Sequence, residues 1–330
     1  MSRTTASLLI LLAAVHLVPA DSLSVIVIDT IAVGAWPKAV EVAPSGKFAY
    51  VTNFAGGTIS VIDCESLKVT KTIKVHGAPV EADYSFDGKL AYVTDFQHNR
   101  LLIYDTDSHT VKKELKMGIN PKIIKLSPDG KLAFVSNWSS WTVSIVDLTK
   151  DSIIARVKVG VNPRGISVLP DQKKVYVANF DTKSNSVSVI TLDTAAGKFT
   201  AKVTKTIAPI KYNPRHTVAT PDTKYVYVSA FNSGRIIKIE TKTDSVMKNL
   251  KIGGKPKTLV ITKDGKYLLI ANFGGNRLDI IETATDSVIV SIPAGKNPCG
   301  LDLTPDEKRI YLTNWTDNNV MVFTFDRFSP

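Results

Sequence analysis

The chain has 330 residues, of which 44% are hydrophobic and 22% are charged, with 19 glycines and 16 prolines. This composition is that of an ordinary globular protein and excludes intrinsic disorder and collagen-like structure. A chain of this length buries enough surface to fold without disulfide or metal cross-links. Its 41 Lys and Arg residues against 30 Asp and Glu give a formal net charge of +11. That excess favours acidic partners such as nucleic acid, anionic lipid or polyanionic glycan.

The first twenty residues have the pattern of an export signal. Arg3 supplies a positive charge, an apolar stretch covers 8–15, and Val18-Pro19-Ala20 provides the residues expected before a cleavage site. The apolar stretch is shorter than the roughly 20 residues that span a bilayer. We therefore expect a signal peptide at 1–20, a single domain at 21–330 without a membrane span, and a periplasmic or secreted protein.

A repeat occupies the rest of the chain. Prolines recur in steps of 42 residues, with one step of 51, at Pro37, Pro79, Pro121, Pro163, Pro214, Pro256 and Pro298. An aromatic residue follows each proline by 17 positions, at Phe54, Phe96, Trp138, Phe180, Phe231, Phe273 and Trp315. Seven units with this period indicate a repeat architecture.

Each unit is predicted to form four short strands separated by turns. In the first unit a strand follows Pro37, a turn occupies Pro44-Ser45-Gly46-Lys47, and further strands are expected at 48–53, 58–63 and 69–75. Four strands in about 42 residues is the size of a propeller blade. A TIM barrel or a Rossmann fold would need helices of 10 to 15 residues between strands, and no segment shows that spacing.

The two ends of the repeat complement each other. The unit that starts at Pro298 reaches only a third strand, at 320–325, while an additional strand at 25–31 precedes the first proline. The prediction is therefore an all-β, seven-bladed β-propeller of four-stranded antiparallel blades, closed by an N-terminal strand that completes the last blade. Closure pairs the strand edges that would otherwise promote aggregation.

The second strands carry a common motif. It occurs as Tyr50-Val51-Thr52-Asn53, Tyr92-Val93-Thr94-Asp95, Tyr176-Val177-Ala178-Asn179 and Tyr311-Leu312-Thr313-Asn314. This motif resembles the one for which the YVTN-repeat β-propeller family is named, and the resemblance covers essentially the whole chain after the signal. It implies an exported, periplasmic or surface-attached binding protein. One branch of exported single-propeller members looks like DNA-binding proteins.

The residue after the repeat proline is cationic in five of seven units. These residues are Lys38, Lys122, Arg164, Arg215 and Lys257, whereas the other two units have Val80 and Cys299. Strand alternation puts the loop before each proline and the loop of the repeat aromatic on one face, which we call the upper face. Since the first strand of a blade is innermost, the cations should ring the channel mouth and focus a positive potential. The alternative is that they lie on solvated loops.

The repeat aromatics are expected on the same upper face. They could stack on nucleobases or sugars beside the cations, as in single-stranded nucleic-acid binding. Packing between blades is the favoured interpretation, because the residue occurs in every unit.

One unit is longer than the others and adds residues to the upper face. The step between Pro163 and Pro214 is 51 rather than 42, which brings Lys211 and Tyr212 close to the cations and to His216. Elaboration of one loop on a regular scaffold is typical of a binding site. We therefore add these residues to the predicted anion site, although a lone histidine is more often a hydrogen-bonded bystander than a ligand.

The channel wall is a second candidate site. Four positions after their prolines lie Glu41, Asp83 and Asp302, in three adjacent blades. Facing inward together they could hold a hard cation such as calcium. Neutralisation by Lys125 or by water is the favoured alternative, so we predict neither a metal nor a cofactor.

No arrangement of residues in the sequence indicates nucleophilic catalysis. Cys64 and Cys299 are expected at opposite faces, too far apart for a disulfide, and no Ser-His-Asp or Cys-His set is evident. The sequence thus favours a monomeric, non-enzymatic binding protein. Its predicted partner is an anionic macromolecule, either nucleic acid such as DNA or a polyanionic glycan, or else an envelope protein. The alternatives are a metal-dependent lactonase or quinone-dependent dehydrogenase, and an envelope protein-interaction module.

Overall fold

Each sequence repeat folds into a four-stranded antiparallel sheet, and the seven blades close into a ring in which every innermost strand contacts its neighbours. The predicted seven-bladed propeller is confirmed. The computed structural model describes residues 23–181, 185–193, 199–210 and 213–327. The predicted signal at 1–20 and the predicted site residues Lys211 and Tyr212 lie outside the described residues.

Within each blade the strands follow one another from the channel outward. Blades are numbered from Pro37. Up to the end of blade 3 the strands are β1 (Leu23–Ser24), β2 (Val27–Ala32), β3 (Pro37–Val42), β4 (Phe48–Asn53), β5 (Thr58–Asp63), β6 (Lys68–Lys74), β7 (Pro79–Tyr84), β8 (Leu90–Asp95), β9 (Arg100–Asp105), β10 (Thr110–Lys116), β11 (Pro121–Leu126), β12 (Leu132–Asn137), β13 (Thr142–Asp147) and β14 (Ser152–Lys158). Blades 4 to 7 contain β15 (Pro163–Val168), β16 (Lys174–Asn179), β17 (Ser186–Asp193), β18 (Thr200–Ile207), β19 (Pro214–Ala219), β20 (Tyr225–Ala230), β21 (Arg235–Glu240), β22 (Ser245–Lys251), β23 (Pro256–Ile261), β24 (Tyr267–Asn272), β25 (Arg277–Glu282), β26 (Ser287–Pro293), β27 (Pro298–Leu303), β28 (Arg309–Asn314), β29 (Asn319–Thr324) and β30 (Asp326–Arg327).

The N-terminal strand closes the ring, as predicted. β2 pairs antiparallel with β29, with Ile31 opposite Val320, and becomes the outer strand of blade 7. The strand begins two residues later than expected from the sequence. A short ladder between β1 and β30 adds a second link between the two ends of the described chain. Ile31 is buried between blades 7 and 1.

The hydrophobic core lies between blades rather than within them. One cluster joins Tyr50 and Ile59 of blade 1 to Tyr84 and Leu102 of blade 2, and comparable clusters recur around the ring. The second strand of each blade is almost wholly buried, whereas the outer strands are largely exposed. Since each blade buries its apolar face only against a neighbour, stability depends on the closed ring.

The hydroxyl in the third position of the repeat motif connects innermost strands of adjacent blades. Thr52 Oγ1 accepts a hydrogen bond from the Ala39 N–H (3.0 Å) and donates to the Val80 carbonyl of the next blade (3.0 Å). In the same way Thr94 donates to the Lys122 carbonyl (2.8 Å), and Ser229 donates to the Lys257 carbonyl (2.9 Å). These bonds fix the backbone of the residues that follow the repeat prolines.

The tyrosine of the motif connects blades near the opposite face. The Tyr50 hydroxyl lies 2.6 Å from His109 Nδ1 in the turn between the outer strands of blade 2. The Tyr176 hydroxyl donates to Asp244 of the following blade, and Asp244 also accepts from Lys174 Nζ at 2.8 Å. The two ends of the second strand therefore both contribute to the register between blades.

Two further features agree with the sequence analysis. Cys64 and Cys299 are both buried and free, as predicted. Within the four described ranges, no helix has the length and apolar character needed to cross a membrane.

Removal of residues 23–32 should open the ring. Blade 7 would lose its outer strand, and burial of the Ile31 side chain alone contributes about 1.5–3 kcal/mol. We expect a lower melting temperature and aggregation through the exposed β29 edge, measured by thermal unfolding and size-exclusion chromatography. The control is a chain that lacks only residues 1–22. Equal stability and solubility of the two truncated chains would contradict closure by this strand.

Tyr176→Phe should destabilise the protein, because it removes a hydroxyl that donates to the carboxylate of Asp244. Hydrogen bonds to charged groups contribute about 1.5–3 kcal/mol. The matched control is Tyr104→Phe, because the Tyr104 hydroxyl is buried and none of the residues that the structure describes is its hydrogen-bond partner. Urea unfolding should show a loss for Tyr176→Phe and none for Tyr104→Phe. Equal free energies of unfolding for the two variants would show that the Tyr176 bond does not hold the blades together.

Candidate anion site in the central channel

The loops that carry the predicted site share one face of the propeller. In blade 1 the Phe54 N–H donates to the Trp36 carbonyl, the residue before the repeat proline, at 3.0 Å. The same bond joins Trp138 to Asn120 (2.9 Å) in blade 3. The repeat aromatic therefore lies beside the start of the innermost strand, on the upper face, as the strand order predicts.

The seven repeat aromatics form a ring around the channel mouth, which we call the aromatic collar: Phe54, Phe96, Trp138, Phe180, Phe231, Phe273 and Trp315. Each side chain is partly buried. Five neighbouring pairs are in direct ring contact, with centroid distances from 5.7 Å for Phe231–Phe273 to 6.1 Å for Phe54–Trp315. Rings that contact one another between blades favour packing over an open stacking platform.

The five predicted cations lie inside this collar, and we call them the cation ring: Lys38, Lys122, Arg164, Arg215 and Lys257. Each lies over two aromatic rings of adjacent blades. Arg164 Cζ, for example, is 4.2 Å from the Trp138 centroid and 4.1 Å from that of Phe180. Lys122 Nζ bridges Phe96 (4.4 Å) and Trp138, a pair without direct ring contact. The aromatic side chains thus hold the cations toward the channel axis.

Lys257 departs from the pattern of the other four cations. Its ammonium lies 5.1 Å from both Phe273 and Trp315, so it reaches toward blade 7 instead of blade 5. Blade 7 has Cys299 where a cation would otherwise stand. Lys257 therefore covers the junction that Cys299 leaves without a charge, and the cations together contact the repeat aromatic of all seven blades.

A β-bulge at the start of each innermost strand explains how consecutive side chains reach the channel. The register between first and second strand shifts just after every repeat proline, for example between Pro121 and Ile124. Side chains of consecutive strand residues normally point to opposite faces, and a bulge re-aims one of them. Lys122 and Ile123 consequently line the same cavity.

The cation ring encloses a small cavity of about 30 Å³, which we call the throat. Besides the five cations it is lined by Val80, Glu81, Ile123, His216 and Thr258. Lys122 and Lys257 are only 8% and 5% exposed. Lys122 and Lys257 are thus buried, Lys38, Arg164 and Arg215 are partly buried, and all five lie on the innermost strands and line one cavity.

Among the described residues, none of the five cations forms an ion pair within 4.0 Å of a carboxylate. The buried Arg164 Nε also has no hydrogen-bond partner within the described part of the chain. Glu81 is the acid that lines the throat. Five cations facing one carboxyl group leave an excess of positive charge in a cavity with room for about one water-sized group.

Burial and mutual repulsion disfavour the charged forms in the throat. Burial, followed by the charges of Arg164 and Arg215, lowers the pKa of Lys38 to about 7. Burial and the nearby Lys38 lower the pKa of Lys122 to about 4. Burial also holds the pKa of Lys257 well below its ordinary value and raises the pKa of Glu81 to about 8. Without a bound anion, the throat reduces its positive charge by releasing protons.

The aromatic contacts do not offset the cost of burying these charges. A desolvated cation over an aromatic ring gains about 2 kcal/mol, whereas burial of one ion costs several kcal/mol even after relaxation. An anion at the centre of the throat would favour the charged state of these side chains, because all five cations would face it. The cation ring is therefore chemically suited to binding one anionic group.

His216 lies at the boundary of the throat, where it serves the backbone. Its Nδ1 accepts a hydrogen bond from the Leu259 N–H at 3.3 Å, which leaves the proton on Nε2. Burial, followed by the charges of Lys125 and Arg215, lowers its pKa to about 3. His216 is thus a neutral donor at neutral pH and is poorly suited to act as a general base.

The predicted acidic wall lies deeper in the channel. Lys125 Nζ is 3.4 Å from Asp83 Oδ2 and 3.9 Å from Glu41 Oε1. Asp83 also accepts from the Leu126 N–H (2.9 Å), and Asp302 accepts from the Val42 N–H (2.8 Å). Within the part of the chain that the structure describes, no three His, Cys, Asp or Glu side chains are placed to hold a metal ion. The acids hold Lys125 and the neighbouring strands.

Burial disfavours ionisation of two carboxyl groups in this wall, Asp302 and Glu41. Burial raises the pKa of Asp302 to about 6. Burial and the nearby Asp302 raise the pKa of Glu41 well above its ordinary value. Burial therefore moderates the charge of the acidic wall, as it does that of the throat.

Below the throat the channel widens into a cavity of about 400 Å³, which we call the chamber. The throat and the chamber share four lining residues, Glu81, Ile123, His216 and Thr258. Glu81 was missed by the sequence analysis, which considered the first and fourth positions after each proline. The second position would have revealed it, because Glu81 is the one acid there among the seven repeats.

The fold and its motif place the chain in a known group of propellers. No curated protein matches the sequence. A solved structure, Kuenenia stuttgartiensis Hydrazine Synthase, is similar with a TM-score of 0.79 and 24% sequence identity, covering 87% of this chain and 95% of that chain. At that identity the likeness shows the fold alone. The family model described as YNCE-like beta-propeller matches residues 30–309, and the YVTN-repeat family resembled by the sequence is a related propeller family. The chain belongs to the YNCE-like beta-propeller family.

Proposed function

We propose that this protein is an exported, non-enzymatic binding propeller that captures an anionic group in the throat. The observation that carries the proposal is the convergence of five cations, two buried and three partly buried, on one cavity without an ion-pair partner among the described residues. Export is supported by the sequence pattern of residues 1–20. Binding is favoured over catalysis because His216, the histidine of the throat, uses Nδ1 to accept a backbone N–H.

The size of the throat restricts what the anionic group can be. A cavity of about 30 Å³ has room for about one water-sized group, which corresponds to one oxygen of a carboxylate, a sulfate or a terminal phosphate. A nucleic acid, a polyanionic glycan or an envelope protein would have to insert a chain end or a protruding acidic group. The uninterrupted backbone of a DNA duplex, whose phosphates lie on a wide cylinder, would contact the aromatic collar and not the cation ring.

Lys122→Met/Lys257→Met should abolish anion binding without weakening the fold. Methionine keeps the length and the apolar stem of lysine, and replacing buried charges by hydrophobic residues is neutral or stabilising by about 1–4 kcal/mol. Sulfate should raise the melting temperature of the parent protein at constant ionic strength, since a ligand at 100 times its Kd stabilises by about 2.7 kcal/mol. The double variant should be at least as stable and should not respond to sulfate.

The matched control is Lys116→Met/Lys158→Met, which removes the same charge from exposed outer strands. It should keep the full response to sulfate. A parent protein that does not respond to sulfate, phosphate or acetate would overturn the proposal. Fluorescence anisotropy tests the macromolecular partner. The probes are duplex DNA and single-stranded DNA with and without a 5′ phosphate. Equal DNA binding by the two double variants would exclude DNA capture by the throat.

Anion binding should take up protons, and its affinity should fall as pH rises. In the free protein the pKa of Lys38 is about 7, and a bound anion moves that pKa back toward the ordinary value. Between these two pKa values the free lysine is neutral and the bound lysine is charged, so binding weakens with increasing pH. Calorimetry with sulfate at pH 8, in buffers with different ionisation enthalpies, measures the uptake.

Lys38→Met provides the control for this pH dependence, because it should reduce the number of protons taken up. The same linkage acts on the free protein with a defined sign. Between pH 7 and the ordinary lysine pKa the unfolded chain holds a proton that the folded chain lacks, so the stability contribution of this group rises with pH. Binding that is independent of pH from 7 to 10 would show that the lysines remain charged without an anion.

A further inference from the structure

We infer that the ligand of the channel is an organic monoanion with an apolar body, whose anionic head occupies the throat and whose body fills the chamber. This inference rests on the proposed function and adds the substrate class. It follows from the composition of the chamber wall, which is divided into two unlike halves.

On the side of blades 4 to 6, the described residues that line the chamber are mostly apolar and include no acid, lysine or arginine. At the fourth position after the repeat proline, blades 5 and 6 have Val218 and Val260, where blades 7, 1, 2 and 3 have charged residues. Ile166, Leu259 and Ile261 lie on the same side. An apolar surface is unfavourable in a channel that holds only water. Ligand sites, in contrast, are mostly apolar with a few polar groups that fix the orientation of the ligand.

The position of this apolar side relative to the cations indicates how charge and hydrocarbon are distributed along the ligand. Arg164 and Arg215 start the innermost strands of blades 4 and 5, and Lys257 starts that of blade 6. Ile166, Val218 and Val260 lie further along these same strands. A molecule that follows this side of the channel therefore meets the cation ring at one end and hydrocarbon along the rest. A monocarboxylate with an alkyl or aryl body has this distribution of charge.

The size of the chamber sets the length of the body. A cavity of about 400 Å³ lies within the range of small-molecule sites, which have volumes of about 300–1,000 Å³. It has room for roughly a dozen groups of the size of a water molecule. The opposite wall, with Glu41, Asp302 and Lys125, would be faced by water or by a polar edge of the ligand.

The test is a chain-length series of straight-chain carboxylates from acetate to octanoate, measured by calorimetry at constant pH and ionic strength. Each added methylene that enters the chamber should tighten binding about fourfold, the factor that corresponds to about 0.8 kcal/mol per buried methylene. Lys122→Met/Lys257→Met should weaken binding of every member of the series, because all share the anionic head.

Val218→Thr/Val260→Thr replaces a methyl by a hydroxyl at each position with little change in volume. It should flatten the dependence on chain length, so that octanoate loses more affinity than acetate. The control is Val246→Thr/Val288→Thr, which makes the same replacement in the same two blades at exposed positions of the outer strands.

The outcomes separate this inference from the proposed function. Equal affinities of acetate and octanoate would overturn the apolar body and leave anion capture intact. A lack of binding across the whole series, with sulfate also inactive, would overturn both. Octanoate binding that survives Lys122→Met/Lys257→Met would show that the head does not occupy the throat and would also overturn the inference. The series uses the unaltered protein, so the result does not depend on how well a variant folds.

Discussion

The convergence of seven strands on one axis is the constraint on which the rest of the molecule depends. The innermost strands approach so closely that a Cβ at Gly165 would lie 2.5 Å from the His216 Cα of the next blade. A Cβ at Gly300 would lie 2.6 Å from the Ala39 Cα. At such distances, residues one repeat apart in sequence become neighbours in space. A lysine or arginine from one innermost strand therefore lies close to those of other blades and becomes part of a group of five like charges.

This convergence explains why the motif residues matter for the site although they do not line it. Thr94 and Ser229 donate to the carbonyl groups of Lys122 and Lys257 in the following blades. Their hydroxyls thus fix the backbone from which the cations extend, and the aromatic collar fixes the side chains from outside. The cations cannot move apart to relieve their repulsion, so the charge must be lost to solution as protons or compensated by a ligand.

The fold could be predicted from sequence because it depends on features that repeat. The repeat proline and the repeat aromatic occur in all seven units, and five of the six steps are 42 residues, so an irregularity in one blade does not obscure the pattern. The location of the five cations as a group, at the mouth of the channel, could be predicted for the same reason. Their burial could not, because strand alternation alone places Lys122 and Ile123 on opposite faces, and only the bulge in the ladder brings both into the channel. Glu81 escaped notice because it is a single departure from the repeat rather than part of it.

The residues that depart from the repeat make the two sides of the channel wall different. Blades 2 and 7 lack a cation after the proline, where Val80 and Cys299 stand, and blades 7, 1 and 2 supply the acids Asp302, Glu41, Glu81 and Asp83. Hydrocarbon is thus concentrated on the side of blades 4 to 6 and carboxyl groups on the other side, while cations line both sides. A symmetric ring would bind an ion on its axis. This asymmetric channel distinguishes the two sides of a ligand, which is the property needed to recognise an elongated molecule rather than a bare ion.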